Sequence, residues 1–124
     1  MPKSILIVDD HEQVRKILRD FLERETGFEV CGEAVDGYDA VQKAQELKPD
    51  LIILDMSMPR MTGMAAAPAL KKMLPQIPIL LLTSYQAALK GFDVRAVGID
   101  AVVPKGGQMS LLADSVQSLL QAVR

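Results

Sequence analysis

Cysteine occurs once in 124 residues, at Cys31, and histidine once, at His11. A lone cysteine rules out an internal disulfide and suits a reducing compartment. Without a Cys/His cluster there is no zinc-type ligand set. Long apolar runs are missing as well: residues 51–54 and 79–82 are far too short to span a bilayer. The opening residues, Met1-Pro2-Lys3-Ser4, lack the apolar stretch of a secretion signal, so a cytoplasmic protein with no membrane partner is expected. Basic runs are absent and the net charge is −2, which leaves nothing electrostatic to recruit nucleic acid. No repeat, low-complexity tract or linker interrupts the chain, and one domain over residues 1–124 is expected. What is present, 49% hydrophobic and 24% charged residues, is the balance of a soluble globular protein able to bury a core.

The apolar residues alternate between two periods. Residues 5–8 form a short run rich in branched side chains that ends at Asp9-Asp10. An unbroken run of this length predicts a strand covered on both faces, as in a parallel sheet. Val14, Ile17, Leu18, Phe21 and Leu22 then recur at helical spacing, with Gly27 as the stop. A second strand is expected over 28–34, and a second helix carrying Ala40, Val41, Ala44 and Leu47 between Asp36-Gly37 and Pro49. Residues 51–54 make a third strand ending in Asp55, and 62–72 a third helix in which Pro68 demands a late start, near 63–65, or a kink. A fourth strand over 79–83, a weak Gly91-containing fourth helix over 86–97, a short fifth strand over 101–103 and a last helix with Leu112, Val116, Leu119 and Leu120 complete the series. Five strands alternating with five helices specify right-handed βαβ units: a doubly wound α/β fold with a parallel sheet and helices on both faces.

Ligands of such sheets bind beyond the carboxyl ends of the strands, where strand order reverses. Those ends deliver Asp9 and Asp10, Asp55, Thr83 and Ser84, and Lys105. With strand order 2-1-3-4-5 the first and third strands are neighbours, and the three aspartates share one pocket. Three carboxylates held together repel, so one is driven toward protonation unless a cation intervenes. Hard oxygen ligands suit Mg²⁺. With that charge offset, one carboxylate can attack phosphorus and form an acyl phosphate, while Lys105 and the Thr83 hydroxyl supply a cation and a donor for the equatorial oxygens. Singly, each residue has a plain explanation: Asp9-Asp10 as a helix-capping pair, Lys105 as a solvated charge, Thr83 as a good strand former. Four strand ends carrying complementary chemistry to one edge have no such explanation. His11 is expected to be an exposed residue of the first helical turn, Cys31 a small strand residue near the core, and Met56, Met58, Met61 and Met64 packing for the loop.

Val8-Asp9-Asp10, the segment Asp55-Met56-Ser57-Met58-Pro59 followed by Gly63, then Thr83-Ser84 and Lys105 closely resemble the receiver domains of two-component response regulators, over almost the whole chain. The resemblance implies a flavodoxin-like fold with Asp55 as phosphoacceptor. It implies Mg²⁺ held by Asp9, Asp10, Asp55 and the Ser57 carbonyl, and phosphoryl contacts from Thr83 and Lys105. It implies a phosphoryl group received from a histidine kinase or phosphotransfer protein, with the domain catalysing only its own phosphorylation and dephosphorylation. Ser57 and Tyr85 are implied to tune the lifetime of that group. The face formed by the fourth helix, fifth strand and fifth helix is implied as a contact or homodimer surface.

Two departures from the family pattern stand out. Val102 replaces the aromatic residue that reports phosphorylation to the surface, and Lys105 is followed by Gly106-Gly107 where the family commonly has a proline. Three rival readings fit the residues less well. A nucleotide- or flavin-binding module lacks a glycine-rich loop after the first strand. An aspartate-nucleophile phosphatase lacks a second acid at position 57 and room for a cap. A degenerate receiver, acting as a phosphorylation-independent interaction module, is favoured only by Val102.

Overall fold

The computed structural model describes residues 2–84 and 86–122. Its strands are β1 (Ser4–Val8), β2 (Glu29–Ala34), β3 (Leu51–Asp55), β4 (Ile79–Thr83) and β5 (Ala101–Pro104). All pair in parallel in the order β2-β1-β3-β4-β5. Every residue of β3 and β4 is buried, which is why these runs show no polar alternation. Successive side chains leave opposite faces. Ile5, Ile7, Leu51, Ile53, Leu80 and Leu82 pack with Leu18 and Leu22 of α1 (Glu12–Thr26) and with Leu112, Val116 and Leu120 of the last helix. Leu6, Val8, Ile52, Leu54 and Leu81 pack instead with Ala40 and Ala44 of α2 (Gly37–Leu47) and Ala66, Ala67 and Leu70 of α3 (Gly63–Met73). Small side chains bring the second pair of helices close to the sheet; branched and larger ones set the first pair.

Chain punctuation follows local chemistry. Gly27 ends α1 in the left-handed region at φ 75°. Asp36 caps α2 by accepting the Asp39 N–H, and Thr62 caps α3 by accepting the Ala65 N–H. Helix α3 starts at Gly63, within the range that Pro68 demanded, and continues through this exposed proline in its second turn.

One expectation fails. The fourth helix over 86–97 is not α-helical: two short 3₁₀ segments, Gln86–Leu89 and Val94–Val97, flank Gly91 at φ 81°. A left-handed residue cannot continue a right-handed helix, and the sparse apolar stripe offers too little burial to offset the break. The described residues therefore hold four α-helices, not five, and α4 (Met109–Ala122) is the last. The remaining differences are one-residue shifts, such as β2 starting at Glu29 and β5 reaching Pro104.

Pro68 deprives the Met64 carbonyl of its helical donor. Pro68→Ala should raise stability by about 1–2 kcal/mol, seen as a higher urea midpoint at unchanged slope.

Candidate functional site

The carboxyl ends of β1, β3, β4 and β5 meet at one edge of the sheet. Asp9, Asp55 and Thr83 are there with 1%, 2% and 1% of their surface exposed, while Asp10 is half-buried and Ser57 exposed. Lys105 follows β5, and its backbone N–H donates to the Thr83 carbonyl at 2.7 Å, an extension of the β4–β5 ladder. That tether aims its ammonium inward. Nζ lies 2.9 Å from Asp9 Oδ2 and 3.2 Å from Asp55 Oδ1. The loop after β3 turns back because Gly63 sits directly on the Asp55 carbonyl; a Cβ there would overlap its oxygen. The Gly63 N–H also donates to the Met56 carbonyl at 3.1 Å, closing the loop on itself. Gly106, at φ 83°, turns the chain away after the lysine.

The electrostatics are unbalanced. Lys105 is shared by two carboxylates, and a third, Asp10, stands beside them. Burial, then the Asp9 charge, pushes the Asp55 carboxyl above its ordinary range, against the opposing pull of Lys105 and the Ser57 N–H. Burial alone would lower the Lys105 ammonium; the Asp9 hydrogen bond and the charges of Asp55 and Asp9 outweigh it and raise the group instead. Among the described residues, Asp55 Oδ2 and Asp10 Oδ1 are buried carboxylate oxygens without a hydrogen bond, Asp10 Oδ1 having only the His11 ring nitrogen beside it at 3.2 Å. Anionic oxygens taken from water and left unpaired are costly. Their clustering fits a hard divalent cation, which accepts such donors without needing a fixed protein cage.

Six contacts escape sequence reasoning. His11 is the N-cap residue of α1, and although its side chain is 64% exposed its Nδ1 lies 3.2 Å from both Asp9 Oδ1 and Asp10 Oδ1. Asp9, Asp10 and His11 can bring one ligand atom each within 4.8 Å of one another. Its place directly after an acid pair at a strand end was the available signal. The Asp9 carboxylate also accepts the His11 N–H at 2.8 Å, so Asp9 helps to start the helix as well as facing the pocket. Arg15 donates from Nη1 to the Asp9 carbonyl at 2.7 Å and from Nε to Glu33 at 2.7 Å, pinning the β1 end to β2. The Thr83 hydroxyl donates to Met56 Sδ at 2.9 Å.

Met58 is buried and Met56, Met61 and Met64 pack against the core beneath the loop, as expected. Cys31 lies in β2, half-buried, its thiol raised above the ordinary range chiefly by burial. Val102, in β5 opposite Leu81, is half-buried in the core layer. Tyr85 lies outside the described residues.

Residues 5–117 match the response regulator receiver domain family. Over 117 residues the chain is 40% identical to the response regulator protein VraR of Staphylococcus epidermidis; the match takes in 94% of this chain but 56% of that protein. The fold superposes with a TM-score of 0.91 on a LuxR-family two-component response regulator from Aurantimonas sp. SI85-9A1, at 27% identity, with 100% of this chain and 89% of the other covered. It superposes with a TM-score of 0.85 on the response regulator protein TrrA of Thermotoga maritima, solved in complex with Mg²⁺ and BeF, at 32% identity over 94% of this chain and 98% of that one. With the acids, the lysine and the hydroxyl gathered at one sheet edge, these matches agree with the fold: the chain belongs to the receiver domains of two-component response regulators.

Proposed function

We propose that Asp55 is the phosphoacceptor of this receiver, and that Asp9, Asp10, Asp55 and the Ser57 carbonyl hold Mg²⁺ beside it. The observation that carries the reading is Asp55 itself: a buried carboxylate with one oxygen 3.2 Å from Lys105 Nζ and the other without a hydrogen-bond partner. The unpartnered oxygen attacks phosphorus, a P–O bond forms, and the P–N bond of a phosphohistidine donor breaks with its electron pair leaving on the imidazole nitrogen. Bound Mg²⁺ would supply charge neutralisation for the transferring group. Lys105, already tethered through its own backbone, offers a cation to the equatorial oxygens, and Thr83 turns its hydroxyl toward them by exchanging Met56 Sδ for a phosphoryl oxygen. The donor is a histidine kinase or phosphotransfer protein. No separate substrate is turned over.

The chain spans 56% of the VraR length that it matches, so its output lies with a partner or with further sequence. DNA contact is not assigned to this unit, whose net charge is −2. No helix among the described residues is long and apolar enough to cross a membrane, and a cytoplasmic location is proposed. The surface of the 3₁₀ segments, β5 and α4 is the proposed contact or dimer face. With a valine at 102, the signal travels through rearrangement of the loosely wound 86–97 segment rather than through a swinging ring. A phosphorylation-independent module gains no support from the site, whose acids and lysine are all in place.

Intact mass after incubation with a small phosphodonor and Mg²⁺ should show one phosphoryl adduct that disappears in Asp55→Asn and on chelation of Mg²⁺. Lys105→Ala should slow its formation at least about tenfold.

Amide exchange across 86–97 should change on addition of a phosphoryl analogue, and unchanged protection would refute the proposed output path.

Without Mg²⁺, Asp55→Asn should be more stable than wild type at neutral pH, by of order 1 kcal/mol. An acid raised in the folded state adds stability below its unfolded value and loses it as pH rises through the folded value. The advantage of the variant should therefore shrink as pH falls toward the ordinary aspartate value of 3.8, as urea unfolding at several pH values would show.

A further inference from the structure

Asp36 and Arg60 lie outside the acid pocket, yet both are built in a way that stability alone does not explain. Asp36 caps α2 and is 3% exposed. A carboxylate so buried needs compensation. One oxygen accepts the Asp39 N–H at 2.8 Å, and the other accepts Arg60 Nε at 2.7 Å and Arg60 Nη2. The Asp39 hydrogen bond, followed by the hydrogen bond and charge of Arg60, holds the Asp36 carboxyl below its ordinary range despite burial.

Arg60 belongs to the loop between β3 and α3, one residue past Pro59, and its backbone is left-handed at φ 65°. That conformation disfavours any residue with a Cβ, and glycine or asparagine would adopt it more readily. Arginine there is sustained by what its side chain reaches. The same stretch is joined to α2 a second time. Gly37 N–H donates to the Met61 carbonyl at 3.1 Å, and Gly37 lies so close to the Met61 side chain that a Cβ would collide with it. Three hydrogen bonds and one close approach thus fasten residues 60 and 61 to the α2 N-terminus. Upstream, the same loop carries Ser57, whose N–H reaches toward Asp55 Oδ1 at 3.5 Å. Downstream, Gly63 seats on the Asp55 carbonyl.

We infer that the Asp36–Arg60 ion pair is a clamp that positions the β3–α3 loop, and with it the Ser57 carbonyl, for Mg²⁺ binding and phosphoryl transfer at Asp55. This rests on the proposed reading of Asp55 and its metal. Both are positioning residues, because neither touches the reacting atoms. Electrostatics alone predicts the opposite sign for one of them: removing the Arg60 cation should tighten Mg²⁺, whereas losing a clamp should weaken it.

The test uses Asp36→Asn, which keeps a capping oxygen for Asp39, Arg60→Asn, which keeps a residue tolerant of the left-handed backbone, and the double variant. Mg²⁺ affinity by calorimetry should fall about tenfold in each single variant, as for supporting residues behind metal ligands. The double variant should lose no more than either single one, because both remove one interaction. Unchanged or tighter Mg²⁺ binding in Arg60→Asn, or losses that multiply in the double variant, would overturn the clamp. Amide exchange over 57–62 without metal is the independent readout: faster exchange in both single variants supports the clamp, and unchanged exchange refutes it. If wild type shows neither Mg²⁺ affinity nor a phosphoryl adduct, the reading of Asp55 fails, and the exchange result still decides the clamp.

Discussion

Two buried carboxylates face each other across adjacent strands with one ammonium between them. Asp9 ends β1, Asp55 ends β3, and Lys105 bridges them from beyond β5. This arrangement is energetically unfinished: one cation cannot satisfy both acids and Asp10 as well, and burial amplifies the deficit. Much of the architecture can be understood as what holds such a group together. The hydrophobic layers on both faces of the sheet supply the stabilisation. The backbone ladder from Thr83 keeps Lys105 from swinging out to water. Arg15 grips the Asp9 carbonyl from the helix that follows it. Asp9, Asp55 and Lys105 are thereby held in mutual contact at the edge of the sheet.

The two faces of the sheet divide the labour. Branched and larger side chains fill the space under α1 and α4, whereas alanines at 40, 44, 66 and 67 let α2 and α3 settle close to the strands. The α2 N-terminus meets the loop that follows Asp55 where the Gly37 N–H donates to the Met61 carbonyl. The opposite end of the sheet edge is looser, because the chain between β4 and β5 forms two short 3₁₀ segments instead of a helix.

Strand placement was legible in the sequence because residues 5–8, 51–54 and 79–82 are buried on both faces and carry nothing polar to blur the run. The acids, Thr83 and Lys105 were legible because parallel topology sends every strand's carboxyl end to the same edge. The fourth helix was not, since its weak stripe allowed a helix, and the left-handed backbone at Gly91 together with the little burial that stripe offers decides against it. Arg15 and the Asp36–Arg60 pair were hidden for another reason. Each has an ordinary surface appearance in the sequence and gains its contact only when separate elements meet.

The Lys105–Asp9 pair joins residues 96 positions apart. Strand β1 is also central in the sheet, with β2 on one side and β3 on the other. In a growing chain all three aspartates are made at least 50 residues before the lysine. The repulsion among those acids is then unanswered by Lys105, and the non-local closure that relieves it comes with the last strand. Synthesis itself therefore delays completion of the site: until β5 and the residue after it are made, Asp9 and Asp55 lack the ammonium that joins them.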